Sequence, residues 1–218
     1  MKKAAAPGNI HRGKAYHEFM LASPREQRVR ERFQRLVFQL MPPRGAIFDF
    51  GAGTGIDAKS YAAQGFRIFV YEPCEANLRY LTEHCREEIL NGAITITDLS
   101  LSSRVQLITA NFAVLNLIAD HRTLFQNFAG LVATGGFVLV SLLNPFFVGD
   151  ARYAWWRKNL SPLLRSGTYA VEGEFGPIYR FAPSVVMLAA EPDFHLVACI
   201  PRGLKVATSR YTFMLFKR

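Results

Sequence analysis

At 218 residues, half of them apolar and a fifth charged, the chain has the size and composition of one globular domain with a sizeable core, which excludes a disordered or fibrous protein. Its formal net charge of +9 is uneven: residues 1–44 hold ten Lys/Arg and three Glu, giving +7, while the rest contribute 16 − 14 = +2. Cys74, Cys85 and Cys199 show no metal-ligand spacing and leave an odd thiol, which excludes a disulfide framework and points to a reducing cytoplasm, with no metal expected.

The N-terminal Met1-Lys2-Lys3-Ala4-Ala5-Ala6-Pro7 is basic without an apolar core and does not read as a signal peptide. Ser23-Pro24-Arg25-Glu26 is a capping box with Pro at the first helical position. Behind it, Val29, Phe33, Leu36, Val37 and Leu40 recur at helical spacing with arginines on the other faces. The pattern predicts a helix that packs its apolar stripe on the core and leaves its arginines solvated. The other reading of this charge is a surface for an acidic partner: a phosphopantetheinyl carrier protein, anionic lipid or nucleic acid.

Next comes the most informative stretch, Ala46-Ile47-Phe48-Asp49-Phe50-Gly51-Ala52-Gly53-Thr54-Gly55. An apolar run ends in an acid and three alternate glycines, whose backbones can take positive φ and approach a ligand closely. Ile56 to Gln64 then reads as a helix that Gly65 closes. The dinucleotide fingerprint would need a glycine at 56, where Ile56 stands, and no Gly-Lys-Ser/Thr follows for a phosphate loop. Asp49 suits a cationic ligand group instead. Asp49-Phe50-Gly51-Ala52-Gly53-Thr54-Gly55 resembles motif I, D/E-x-G-x-G-x-G, of the class I S-adenosylmethionine-dependent methyltransferases. The resemblance implies that Asp49 serves the methionine ammonium and that Gly51, Ala52, Gly53, Thr54 and Gly55 pass beneath methionine and ribose. It also implies S-adenosyl-L-methionine as cofactor and S-adenosyl-L-homocysteine as product.

A second strand, Arg67 to Tyr71, ends at Glu72, with Pro73 at the expected start of a helix. Glu72 lies 17 residues after Gly55, near the ~20-residue spacing of a ribose-binding acid in doubly wound sheets, and the resemblance gives it that role. A third strand, Ala93 to Thr97, ends at Asp98-Leu99. By resemblance Asp98 faces the adenine amino group and Leu99 packs on the ring, although Asp98 also suits an Asx turn. The fourth strand, Val105 to Ala110, runs into Asn111-Phe112, which resembles the family segment beside the cofactor's methyl, with Gln106 where Asp is usual.

The charge-free stretch from Leu124 to Val148 is interrupted by Gln126, Asn127, Gly130, Gly135, Gly136, Asn144 and Pro145. It reads as a helix followed by a buried strand, Phe137 to Leu143, rather than a membrane span. Asn144-Pro145-Phe146-Phe147 resembles the N-P-P-Y/F motif of amino-group methyltransferases, but it follows the fifth strand instead of the fourth and lacks the second proline. It is expected to be a strand exit.

Residues 145–182 form an aromatic-rich insertion holding Phe146, Phe147, Tyr153, Trp155, Trp156, Tyr169, Phe175, Tyr179 and Phe181. Placed over the carboxyl ends of the strands it would cap the acceptor, with Phe146, Trp155 and Tyr179 as candidate contacts. A helix from Pro183 and strands at 194–200 and 211–216 complete the chain. The resemblance implies an α/β, Rossmann-like sheet of seven strands with helices on both faces, order 3-2-1-4-5-7-6, the last strand antiparallel. Residues 1–44 would then be a basic helical segment over the cofactor, in which Tyr16-His17-Glu18-Phe19-Met20 resembles the aromatic pre-motif segment and Tyr16 touches the cofactor. Residues 45–218 would be the methyltransferase domain.

Methyl transfer from a sulfonium chiefly requires alignment, and a base only if the acceptor arrives protonated. His17 and His121 are the candidate bases, while His11, His84 and His195 are placed less favourably. The expected function is methylation, first of all at oxygen, of a small or carrier-bound apolar or aromatic acceptor. The alternatives are an N-methyltransferase acting on protein or nucleic acid, the latter not the expected partner, and a non-catalytic scaffold that keeps the fold.

Overall fold

A computed structural model describes residues 12–101, 103–174, 176–203 and 205–218. Lys2, Lys3, His11 and Phe175 therefore lie outside the described residues. The chain opens with helices α1 (Gly13–Ala22) and α2 (Pro24–Leu40), followed by β1 (Ala46–Phe50), α3 (Ile56–Ala63), β2 (Arg67–Tyr71), α4 (Glu75–His84), α5 (Arg86–Leu90), β3 (Ile94–Ile96) and β4 (Val105–Ala110). After a 3-10 turn at Val114–Leu117 come α6 (His121–Leu131), β5 (Val132–Leu143), α7 (Ala154–Lys158), α8 (Leu160–Ser166), β6 (Thr168–Gly173), β7 (Gly176–Phe181), α9 (Pro183–Ala190), β8 (His195–Ile200), α10 (Lys205–Thr208) and β9 (Tyr211–Lys217).

Seven strands form one sheet in the order β3-β2-β1-β4-β5-β9-β8, and β6 and β7 pair separately as an antiparallel hairpin. With the hairpin set aside, this is the expected 3-2-1-4-5-7-6, parallel from β3 to β5. β9 lies antiparallel between β5 and β8.

Side chains alternate across the sheet and divide the core in two. Phe48, Ile108, Val138, Val140, Met214 and Phe216 pack with Phe125 and Phe128 of α6. Ile47, Leu107, Leu139 and Phe213 pack with Phe33 and Val37 of α2 and with Ala58 and Tyr61 of α3. Asp49, two residues beyond Ile47, therefore points to the α2–α3 side, as does its register partner Thr109.

Several expectations are corrected. α4 begins at Glu75 with Cys74 as its cap, so Pro73 is not its first residue. The Glu72 carboxylate accepts the Cys74 N–H at 2.8 Å, holding Pro73 in a turn ahead of the helix. β3 is shorter than read, and β5 starts five residues earlier, at Val132, because Val132 pairs with Val105 across a register shift. Only half of the capping box forms: Ser23 Oγ accepts the Glu26 N–H at 3.4 Å, whereas the Glu26 carboxylate lies 3.8 Å from Arg210. The arginines of α2 are not all solvated, because Arg30 is buried.

The strand exit at Asn144-Pro145 follows from the fold. Asn144 Nδ2 donates to the carbonyls of Val206 and Ser209, and its Oδ1 accepts the Phe146 N–H, so the amide is committed to bracing loops. Gln106 ties β4 to β1 by accepting the Ala46 N–H at 2.7 Å.

Candidate functional site

At the carboxyl end of β1, Gly51, Gly53 and Gly55 hold φ of 73, 58 and 80°. The turn is laced to β2: Gly51 and Ala52 donate their N–H groups to the Tyr71 carbonyl, and Gly53 N–H donates to Glu72 Oε2 at 2.7 Å. A Cβ at 51 would stand 2.5 Å from Val114 Cγ1, and one at 55 would stand 2.6 Å from Cys85 Sγ. These two glycines are therefore required by the protein's own packing, a reason absent from the local pattern. At Gly53 the neighbour is the Tyr16 ring, 3.3 Å from such a Cβ, across the cleft.

Asp49 is 3% exposed. Its Oδ1 accepts the Thr109 hydroxyl at 2.7 Å, and its Oδ2 has no partner among the described residues. Burial first, and then the Asp57 charge, push this carboxyl up to about 7. An ionised carboxylate with one buried oxygen unpaired is a strong acceptor for a cationic group.

Facing it is a network that sequence reasoning missed. Arg30 Nη1 lies 2.6 Å from Asp57 Oδ2, in the first turn of α3. Asp57 also accepts from Gln34 Nε2 at 2.7 Å and from Asn111 Nδ2 at 3.1 Å. The guanidinium lies 4.6 Å from the centre of the Phe112 ring. A usable signal existed: Arg30, Phe33 and Val37 share one helical arc, so an arginine there needs a buried partner.

The β4 exit is tightly held. Asn111 Oδ1 accepts Ser141 Oγ–H at 2.8 Å, and Phe112 N–H donates to Ser141 Oγ at 2.7 Å. Phe112 and Ala113 take φ of 53 and 66°, a left-handed pair without glycine. Each such residue costs on the order of 1–3 kcal/mol and persists where surrounding bonds over-determine it.

Tyr16, Asp49, Gly51 to Thr54, Asn111 and Phe112 line one cleft together with Arg30 and Asp57. Tyr16 stands over the glycine turn and narrows the cleft at Gly53. Burial pushes the Tyr16 hydroxyl up to about 12, keeping it protonated. His17 is buried beside the cleft wall, its Nδ1 3.2 Å from Thr54 Oγ1. Burial, then the Arg30 charge, lowers its pKa, so the ring is neutral at pH 7.

The remaining predicted residues are spread out. Glu72 reaches the site through Gly53 N–H, while Pro73 is exposed. Asp98 makes an Asx turn with Ser100 at 2.7 Å, and Asp98 and Leu99 are exposed after β3. His121 stands apart from the cleft lining, its Nε2 2.9 Å from the Leu115 carbonyl and its ring 4.1 Å from that of Phe181. Phe146 is exposed. Trp155 and Tyr179 face opposite sides of the hairpin: Tyr179 stacks along β7 with Phe181, whereas Trp155 lies against Arg180.

Residues 21–170 match a family described as a methyltransferase domain. No curated protein matches the sequence. Among solved structures, the CcbJ methyltransferase from Streptomyces caelestis is 19% identical with a TM-score of 0.63, covering 86% of this chain and 88% of that one. An S-adenosylmethionine-dependent methyltransferase from Clostridium acetobutylicum is 12% identical at TM-score 0.63, covering 93% and 95%. The glycopeptide N-methyltransferase MtfA, complexed with sinefungin, is 14% identical at TM-score 0.61, covering 86% and 93%. At these identities the likeness is one of fold.

Proposed function

The chain belongs to the class I S-adenosylmethionine-dependent methyltransferases, with S-adenosylmethionine as cofactor, and from that premise we propose that it methylates a small or carrier-bound apolar or aromatic acceptor, in the first place at oxygen. The observation that carries the cofactor assignment is the unpaired Oδ2 of Asp49 above the left-handed glycine turn. A primary ammonium is the complementary partner for that oxygen. Arg30 offers a guanidinium to the carboxylate of the same amino-acid end, while Asp57 balances its charge. Glu72 already accepts the N–H groups of Gly53 and Cys74, and a carboxylate with about four lone-pair sites can still take ribose hydroxyls. Asp98 and Leu99 are assigned to adenine, and Asn111 with Phe112 to the methyl side.

Bound there, the cofactor supplies a methyl carbon on a sulfonium, an electrophile whose transfer depends on alignment. The residues around it bind, orient and exclude water. Tyr16 and Phe112 close the cleft with aromatic surface, and the Ser141–Asn111 bond fixes the β4 exit. His17 is the histidine bonded to the cleft wall and is the candidate base. We assign residues 1–44 as cover for the cofactor and 145–182 as acceptor cap. Three free cysteines fit a reducing cytoplasm, and among the described residues no helix is long and apolar enough to cross a membrane.

Calorimetry with S-adenosylhomocysteine tests the cofactor site: one-to-one binding is expected, and no heat at millimolar ligand would sink the assignment. Binding without transfer of labelled methyl to phenols, carboxylic acids or amines would favour the scaffold alternative.

A further inference from the structure

The β6–β7 hairpin holds a buried charge that methyl-donor binding does not use. Arg180 is 3% exposed. Asp150 Oδ2 lies 3.6 Å from its Nη2, beyond hydrogen-bond range. Arg180 Nε and Nη1 have no acceptor among the described residues. Directly across the ladder stands Tyr169, whose hydroxyl is also buried and unpaired. The Trp155 ring centre is 5.4 Å from the guanidinium carbon, and its Nε1–H is unpaired too.

Three side chains thus present four unpaired polar atoms, all able to donate, against one carboxylate that is out of bonding range. A buried donor left unpaired is destabilising, the more so when charged. The excess is of donors, so the complementary group is an oxyanion. Burial, only partly offset by Tyr169 and Asp150, lowers the Arg180 pKa from its ordinary value. Asp150 also limits the charge: it already sets one negative charge against Arg180, so the unpaired donors favour a monoanion over a dianion, which it would repel more strongly.

The hairpin that carries the cluster is tied to the turn beyond the cleft. The carbonyl of Tyr179, the neighbour of Arg180 on β7, accepts Asn116 Nδ2 at 2.6 Å, in the 3-10 turn that follows Phe112. The Tyr211 ring meets Phe112 edge-on at 5.8 Å, and Phe112 lines the cleft.

We propose that Arg180, Tyr169 and Trp155 form a subsite for a carboxylate carried by the acceptor, so that the substrate class is a small aromatic or apolar carboxylic acid rather than a neutral molecule. The inference rests on the methyltransferase function proposed above. Arg180 is a binding residue here, and Asp150 positions it.

The test is calorimetric titration of the protein, saturated with S-adenosylhomocysteine, with benzoate, the neutral isostere benzamide and phenyl phosphate. Benzoate should bind at least about tenfold more tightly than benzamide, the factor that one charge-assisted hydrogen bond supplies, and no more weakly than phenyl phosphate. Arg180→Gln should erase the preference for benzoate. Tyr169→Phe, which keeps the charge and the ring, should weaken benzoate severalfold. Arg35→Gln, on the exposed face of α2, should change nothing. Both cap variants should keep the S-adenosylhomocysteine affinity and the circular dichroism of the parent. Should Arg180→Gln not fold, Tyr169→Phe carries the decision. No benzoate binding, equal binding of benzoate and benzamide, or undiminished benzoate binding in the cap variants overturns the subsite. Tighter phenyl phosphate overturns the carboxylate assignment. Failure to saturate with S-adenosylhomocysteine overturns instead the function on which the inference rests.

Discussion

Asp49 is held by two opposed demands. Its buried carboxyl titrates near 7, against about 3.9 when unperturbed. The folded protein therefore binds the proton more tightly than the unfolded chain, so this group's stabilisation is present below the ordinary value and is lost as pH rises through about 7. Asp49→Asn should accordingly stabilise the ligand-free protein at pH 8.5, by roughly 1–3 kcal/mol, and by less at pH 5. Denaturant melts at the two pH values check this, and a variant less stable at pH 8.5 would show that the Thr109 bond outweighs the buried charge. Binding runs the other way. S-adenosylhomocysteine, whose ammonium needs the ionised carboxylate, should bind more tightly as pH rises through about 7, and the Asn variant should lose at least about tenfold in affinity together with that dependence. Asp49 was legible because an acid at a strand end before alternating glycines has few other uses. The partner of Arg30 was not legible, because pairing with Asp57 arises only when α2 is laid against α3.

The strand-turn-helix unit of β1 and α3 shows where an element depends on its neighbours. Gly55 and Gly65 share φ of +80°, but a Cβ at 55 meets Cys85 Sγ at 2.6 Å and the Leu81 side chain at 3.0 Å, while one at 65 meets nothing within 4 Å. Gly65→Ala should then cost only the left-handed strain, about 1–2 kcal/mol, and Gly55→Ala a further 1–3 kcal/mol or so of overpacking against α4. Equal losses in thermal melts would mean that α4 gives way freely. β2 and β4 have the limits expected from their sequence, and β1 runs one residue past Asp49 to Phe50, since parallel strands covered on both faces are apolar almost throughout. The ends of β3 and β5 could not be read in this way. They are set by pairing across the sheet, at Val132 with Val105 for instance. The hairpin of β6 and β7 was legible only as an aromatic-rich insertion, because its use of Arg180 depends on residues brought together from α7, β6 and the loop after β5.

At the scale of the whole molecule, the family resemblance carried the strand order, and charge is where the sequence stayed open. Arg25, Arg28, Arg32 and Arg35 recur at helical spacing on the exposed side of α2, opposite buried Phe33 and Val37. Four phosphate contacts would make any duplex binding fall with salt at about 0.9 logarithmic units per phosphate per tenfold salt, so double-stranded RNA or DNA should be retained at low ionic strength and released at 0.15 M. Tight electrophoretic retention at 0.15 M would instead bring the nucleic-acid N-methyltransferase forward. The narrow space between Tyr16 and the glycine turn bears on time rather than on charge. Tyr16 belongs to α1, which is tied to α4 through Gly13 N–H and Asn77 Oδ1 at 2.8 Å, so entry of a nucleoside-sized molecule is expected to require that α1 move. The expected outcome is gated capture: in stopped-flow with S-adenosylhomocysteine the observed association rate should level off at the frequency of opening, with the measured dissociation constant equal to the intrinsic one divided by the open fraction, and a rate that rises linearly with ligand would show that the way in is already open.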